Sequence, residues 1–248
     1  MIEFRNVRLS YNEHEVLDGI SFTAEFYEKI AIIGASGVGK TTILKLIVGL
    51  DRPDSGKILI NGQDITLLSE SDLREPRMYF SIVFQEGALF DSLDVQENVA
   101  FCLREREMLS EEELEKKVRG LLRRVDIEQS LKLMPEELSG GMQRRVAIAR
   151  SLAACEPGPK MMLYDEPTTG LDPITADNIC ALMNELSSGV PPKRTGLIIV
   201  THDVVNASKV AERFIYLKGG AIAFDGSLSV LKSTEDPDLR RFIKEISP

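Results

Sequence analysis

The sequence predicts an α/β core extended by an antiparallel β segment near the N-terminus and by a helical lobe inserted in mid-chain, and three observations carry that prediction. Short aliphatic runs end in glycine-rich or acidic loops that lead into helical patterns, as at Lys29–Ile33 before the loop ending in Lys40, and at Met161–Tyr164 before Thr175. Lys57-Ile58-Leu59-Ile60 is followed by Asn61-Gly62, a dipeptide suited to a tight hairpin because both residues tolerate positive φ. From about residue 88 to 159 the apolar spacing becomes helical, with Leu114, Val118, Leu121, Leu122 and Val125 on one face after the capping box Ser110-Glu111-Glu112-Glu113.

Taken in order, strands are expected over Ile2–Leu9, Ile20–Phe26 and Lys29–Ile33, the first two separated by a polar turn at Asn12-Glu13-His14-Glu15. A helix follows from about Lys40 to Leu50. After the lobe, the pattern gives a strand at Met161–Tyr164, a helix over about Thr175–Leu186, a strand at Gly196–Val200 and a hairpin from Phe214 to Asp225 around Gly219-Gly220. Residues 1–233 read as one domain and 234–248 as a helical tail, in which Leu239, Phe242, Ile243 and Ile246 form an apolar stripe after the breaker Asp236-Pro237. So short a helix must dock. Docking on a second copy or a regulatory partner is the expectation, with docking on its own domain as the alternative.

Composition narrows the functional classes. A chain of 248 residues with 43% hydrophobic residues buries a sizeable core, and a net charge of -9 argues against a general nucleic-acid surface. The longest apolar stretches, such as Leu197-Ile198-Ile199-Val200, are far shorter than the roughly 20 residues of a membrane span. The opening Met1-Ile2-Glu3-Phe4 has no basic and apolar leader, so a cytoplasmic location is expected. Cys102, Cys155 and Cys180 lie far apart, as do His14 and His202, so reduced thiols in buried positions are expected rather than a disulfide or structural metal.

The chemistry concentrates in a few segments. Gly34-Ala35-Ser36-Gly37-Val38-Gly39-Lys40-Thr41, followed by Thr42, lies between an apolar strand and a helix. Glycines let the backbone N–H groups close on a phosphate, the helix N-terminus adds positive partial charge, Lys40 meets the β- and γ-phosphates and the Thr41 hydroxyl ligates Mg²⁺. Alone, this loop suits a GTPase, a kinase or a motor equally. Met161-Met162-Leu163-Tyr164 ends in Asp165 and Glu166, where Asp165 can hold Mg²⁺ through its water shell and Glu166 can polarise the attacking water; two capping carboxylates before Pro167 would be the alternative. Ser139-Gly140-Gly141 opens a helical pattern and makes a second anion site, or merely a cap.

The segment Leu138-Ser139-Gly140-Gly141-Met142-Gln143 resembles the signature of the ABC transporter ATPases, with Met142 where glutamine is usual. The resemblance implies a P-loop NTPase core with an antiparallel β subdomain and an inserted helical subdomain, and it implies ATP and Mg²⁺. It further implies that Tyr11 stacks on adenine, that Gln85 reaches Mg²⁺ and the attacking water, that Asp172 lines a dimer interface and that His202 contacts the γ-phosphate. Because one chain has one phosphate loop and one signature helix, gripping each ATP with both requires a homodimer joined head to tail, Ser139 and Gly141 of one copy completing the site at Lys40 of the other. Glu86 to Ala100, Lys132 to Leu138 and Asp236 to Phe242 are similar to the Mla/Mce-type phospholipid-transport ATPases. That likeness implies attachment to the inner membrane through a transmembrane permease, with an Mce-domain lipid-binding protein, a STAS-domain regulator and no nucleic acid. An importer of another solute, or a mechanotransmitting ATPase that moves none, is the alternative. Lengthened stretches at Glu156-Pro157-Gly158-Pro159 and Gly189 to Arg194 read as loop insertions. The run Ala88-Leu89-Phe90 is expected to form the groove that receives a permease helix.

Overall fold

Leu197-Ile198-Ile199-Val200 is apolar at every position because its strand is covered on both faces. Leu197 and Ile199 point into one hydrophobic core and Ile198 and Val200 into another. The same division splits Ala31 and Ile33 from Ile30 and Ile32, and Met162 and Tyr164 from Met161 and Leu163. Each such aliphatic side chain, fully buried, contributes about 1.5–3 kcal/mol. A charge at Ile198, which has no exposed surface, would break the sheet's central layer.

The computed structural model describes residues 1–85, 87–106, 108–154, 160–189 and 194–243. The chain runs through β1 (Ile2–Tyr11), β2 (His14–Ala24), β3 (Lys29–Ile33), α1 (Lys40–Ile47), β4 (Ser55–Ile60), β5 (Gln63–Asp64), α2 (Arg74–Arg77) and β6 (Phe80–Val83). The lobe follows with α3 (Val95–Arg106), α4 (Glu111–Arg124) and α5 (Gly140–Ala153), and then β7 (Met161–Asp165), α6 (Pro173–Leu186), β8 (Gly196–Thr201) and α7 (Val204–Ser208). Last come β9 (Arg213–Lys218), β10 (Ala221–Ser227), α8 (Leu228–Lys232) and α9 (Pro237–Ile243). Among the described residues, one sheet has the order β10-β9-β3-β8-β7-β6, parallel except for β10, and a smaller antiparallel sheet has the order β2-β1-β4-β5. This is the α/β architecture expected, with a β subdomain and a helical insertion.

The departures are local. The first hairpin is tighter than expected: Asn12 and Glu13 alone form the turn, both at positive φ (47° and 67°), and His14 and Glu15 already belong to β2. At Ser110 the capping box forms in full, the hydroxyl accepting from the Glu113 N–H and the Glu113 carboxylate from the Ser110 N–H. The tail corrects the docking expectation. Leu239 and Ile243 are only 2% exposed and join their own domain's core, Phe242 lies 5.4 Å from the Tyr216 ring, and Asp238 pairs with Lys218. Tyr216 and Lys218 stand on β9, so the nearest apolar surface to the tail is its own sheet; Ile246 lies outside the described residues. Cys180 is buried and its thiol is pushed up to about 11 by burial, whereas Cys102 is half-buried. Cys155, Glu156 to Pro159 and residues 190–193 of the second loop are outside the described residues.

Candidate functional site

In parallel α/β sheets the loops leaving the C-terminal strand ends converge, and here they bring the predicted residues together. β3 delivers the Gly34–Gly39 loop, β6 delivers Gln85, β7 ends on Asp165 and Glu166, and β8 ends beside His202. An open cleft of about 300 Å³ forms there, lined by Tyr11, Val16, Ser36, Gly37, Gly39, Lys40, Thr41, Thr42, Gln85 and Glu166. Gly39 precedes α1 at φ 102°, and a Cβ on it would stand 2.7 Å from the Leu17 side chain, so no larger residue fits the loop's last turn. Gly34 and Ala35 turn their carbonyls inward, and Val38 packs into the core beneath.

Lys40 is 6% exposed and donates to the Gly34 and Ala35 carbonyls at 2.9 and 3.0 Å, with the Glu166 carboxylate 3.6 Å away. Burial lowers its pKa against the opposing pull of Glu166. The Thr41 hydroxyl donates to Asp165 at 2.9 Å, so two hard oxygen donors meet at the helix start with Gln85 on the same cleft. Burial raises the Asp165 carboxyl, the Thr41 bond opposes this, and the neighbouring Glu166 charge adds to it.

Glu166 sits at φ 45°, an uncommon conformation for a residue with a side chain, and its N–H is bonded to the Val200 carbonyl at 2.9 Å. Its carboxylate accepts from the Thr169 and Thr201 hydroxyls, both at 2.9 Å, and from the His202 N–H at 3.1 Å, while the His202 ring Nδ1 lies 3.0 Å away. Burial alone would raise its pKa, but the bonds from His202, Thr201 and Thr169 outweigh burial and leave it below the ordinary value. A carboxylate held by so many donors is a weak base until some of them let go.

Tyr11 keeps its ring 42% exposed at the cleft's rim and donates its hydroxyl to Asp51 at 2.5 Å. Nine of the predicted residues are not in the cleft lining: Gly34, Ala35 and Val38 belong to the loop behind it, Asp165 and His202 bond residues that line it, and Ser139, Gly140, Gly141 and Asp172 lie at the starts of α5 and α6. Ser139 caps α5 through its hydroxyl, which accepts from the Met142 N–H at 3.3 Å. Gly140 and Gly141 abut the loop before α6: a Cβ on Gly140 would lie 3.3 Å from Leu171, and one on Gly141 would lie 2.4 Å from the Thr175 methyl. Asp172 caps α6, accepting from the Ile174 and Thr175 N–H groups at 3.1 Å.

Sequence reasoning missed the Thr169 and Thr201 grip on Glu166, although Thr201 adjoins His202, and missed Asp51, whose place beside Tyr11 has no local signal. The run expected to receive a permease helix has Phe90 at the surface, 40% exposed. The Phe90 ring lies tilted against Phe101, centroids 4.7 Å apart, with the Arg150 guanidinium 5.5 Å from its centre. A separate apolar cleft of about 630 Å³ opens between core and lobe, lined by Val48, Leu50, Met78, Phe80, Ile82 and Ala154 among others.

Comparison with known proteins agrees with this geometry. A family model described as ABC transporter matches residues 17–169. The intermembrane phospholipid transport system ATP-binding protein MlaF of Escherichia coli (strain K12) is 38% identical over 247 residues, covering 100% of this chain and 90% of the relative. The glutamine transport ATP-binding protein GlnQ of the same organism is 38% identical over 248 residues, covering 100% of both. A dimeric post-hydrolysis structure of the ATP-binding cassette MJ0796, bound to ADP and Pi, superposes with a TM-score of 0.81 at 32% identity, covering 92% of this chain and 99% of that one.

Proposed function

The chain belongs to the ABC transporter family as an ATP-binding and ATP-hydrolysing subunit, and from that premise we propose that it drives a separate membrane permease that moves phospholipid. The observation that carries the ATPase chemistry is the cleft itself, which gathers Tyr11, the loop to Thr42, Gln85 and Glu166 at one set of strand ends. Adenine stacks on the exposed Tyr11 ring and the phosphates rest on the N–H groups of the loop. Lys40 leaves the Gly34 and Ala35 carbonyls for the β- and γ-phosphates, which loosens its hold on Glu166. Thr41, Asp165 and Gln85 would hold Mg²⁺, which neutralises charge on the β- and γ-oxygens. Glu166 polarises the attacking water, and His202 orients it and reaches the γ-phosphate.

Ser139, Gly140, Gly141 and Asp172 stand off this cleft with their polar groups at helix starts, an arrangement suited to closing the cleft of a second copy. ATP is then held between two chains, and hydrolysis frees them. Glu166→Gln tests both halves: turnover is expected to fall by about 10²–10⁴ while ATP still binds and traps a dimer. Near-normal hydrolysis would take Glu166 out of the base role.

Phospholipid as cargo is supported by the full-length likeness to MlaF, and uptake of a polar solute by the equal identity to GlnQ. The cargo lies with the permease, whose helix fits the apolar cleft between Val48 and Ala154 better than the ring cluster at Phe90. An Mce-domain protein and a STAS-domain regulator would complete the phospholipid assembly, in which this chain sits peripherally on the inner face of the cell membrane through the permease; among the described residues no helix is long and apolar enough to cross one. Reconstituting the copurified permease complex in vesicles with fluorescent phospholipid decides between the cargoes. ATP-dependent lipid transfer is expected; ATP-dependent glutamine uptake without it would favour the second reading.

A further inference from the structure

α5 is bonded along its length to the segment that carries Gln85. Arg144, only 7% exposed, donates to the carbonyls of Phe84, at 3.0 Å, and of Gln85 itself. Arg150 donates to the carbonyls of Gly87 and Ala88 at 2.8 and 2.7 Å and lies over the Phe90 ring. Further down, the Ser151 and Ser81 hydroxyls bond at 2.6 Å between α5 and β6. The loop is shaped for this grip, since Gly87 and Ala88 both sit at positive φ (70° and 49°), a conformation unusual for alanine.

One buried and one half-buried guanidinium group are a costly way to hold a loop. Burial pulls both below their ordinary pKa, and the Arg144 Nε is a buried donor with no partner among the described residues. Simple packing of a helix on a strand needs neither arginine. The arrangement does achieve one thing: the backbone on both sides of Gln85 is bonded to α5. Ser139 caps α5, about 7 Å along the helix from Arg144 and about 16 Å from Arg150.

We propose that Arg144 and Arg150 are positioning residues that tie Gln85 to the Ser139 anion site, so that a phosphate of a second copy's ATP taken up at Ser139 sets Gln85 in its own chain's cleft. The proposal rests on the head-to-tail reading above. Each site then becomes competent only when the other is filled, which makes hydrolysis depend steeply on ATP concentration.

The test compares the full-length protein with Arg144→Gln, Arg144→Lys and Arg150→Lys. A lysine keeps the charge but lacks the planar fork by which Arg150 spans two carbonyls, whereas Arg144 reaches both of its carbonyls through one nitrogen, Nη1. Measured are the Hill coefficient and kcat of phosphate release, ATP affinity at a dilution where the protein is monomeric, and ATP-driven dimerisation of each change combined with Glu166→Gln. The native chain should give a Hill coefficient above one. Arg144→Gln and Arg150→Lys should bring it towards one and lower kcat about tenfold or more, with monomer affinity unchanged and dimers still forming, and Arg144→Lys should recover part of both. If Arg144→Gln does not fold, Arg150→Lys at the half-buried position decides. Folded variants with native steepness would overturn the proposal, as would a native Hill coefficient of one or a loss that appears only in monomer affinity. Failure of the native chain to dimerise with ATP would instead overturn the head-to-tail reading, and this inference with it.

Discussion

The N-termini of α1 and α5 are the same device in two states. Both offer backbone N–H groups and a helix dipole to an anion, and both are preceded by small residues. At α1 the charge is already answered: Lys40 lies on two carbonyls with Glu166 beside it, Thr41 bonds Asp165, and the residues around them come from four strand ends. At α5 there is the Ser139 hydroxyl, the N–H groups and two glycines fitted against Leu171 and Thr175. The first can answer an anion with its own chain's charge, whereas the second has no cationic side chain of the kind Lys40 supplies at α1. On the head-to-tail reading proposed above, a complete set of catalytic groups does not make a complete enzyme, because one wall of the cleft would belong to another molecule.

The strongest way to break this comparison is at α5. Ser139→Arg should leave ATP affinity of the monomer within about twofold yet lower turnover by about 10²–10³, the scale of losing a donor aimed at developing charge, and should abolish the ATP-induced dimer seen by light scattering. A variant that dimerises with ATP would show that α5 is only a cap. At α1 the effect is smaller and falls on binding. Lys40→Ala should weaken ATP about ten- to a hundredfold, the range of a charge-assisted hydrogen bond, as measured by nucleotide titration; unchanged affinity would count against the phosphate-loop assignment.

The smallest effect sharpens what the α1 site costs the fold. Burial raises the Asp165 pKa, so its charged form is disfavoured in the folded chain. For an acid with a raised folded-state pKa, the unfolded state binds fewer protons between the two values, so stability falls as pH rises through that window and the penalty is full above it. Asp165→Asn should accordingly raise Tm by a few degrees at pH 7 without nucleotide, lose that gain below the ordinary carboxylate range, and abolish Mg²⁺-dependent hydrolysis. A melting series across pH checks all but the last.

Most of the core was readable because its signals are local. β-Branched runs, Asn61-Gly62, the Ser110 box and the spacing of Gly34 to Thr41 each depend on neighbours in sequence, and each forms as read. What escaped depends on partners distant in the chain. Nothing in Asp236 to Ile243 says which apolar surface lies nearest, so a docking helix was legible but its seat on Tyr216 was not. Arg144 and Arg150 carry no local signal of a partner, and only the fold turns them towards the carbonyls of Phe84, Gln85, Gly87 and Ala88. Ala88-Leu89-Phe90 was legible as an apolar run, but the contacts of the Phe90 ring with Phe101 and Arg150 were not.

The position of β3 has a consequence for how the protein is made. It carries the loop that grips phosphate, yet it lies between β8 and β9, with Lys29 beside Leu197 and Ile30 beside Arg213. A ribosome that has released the first two-thirds of the chain has released the whole glycine-rich loop and neither of the strands that hold it in place. Such distant pairings close late and leave an aliphatic strand exposed during translation. Nascent chains stopped before β9 should therefore not retain ATP, and nucleotide capture becomes a signal that β8 and β9 have both been made.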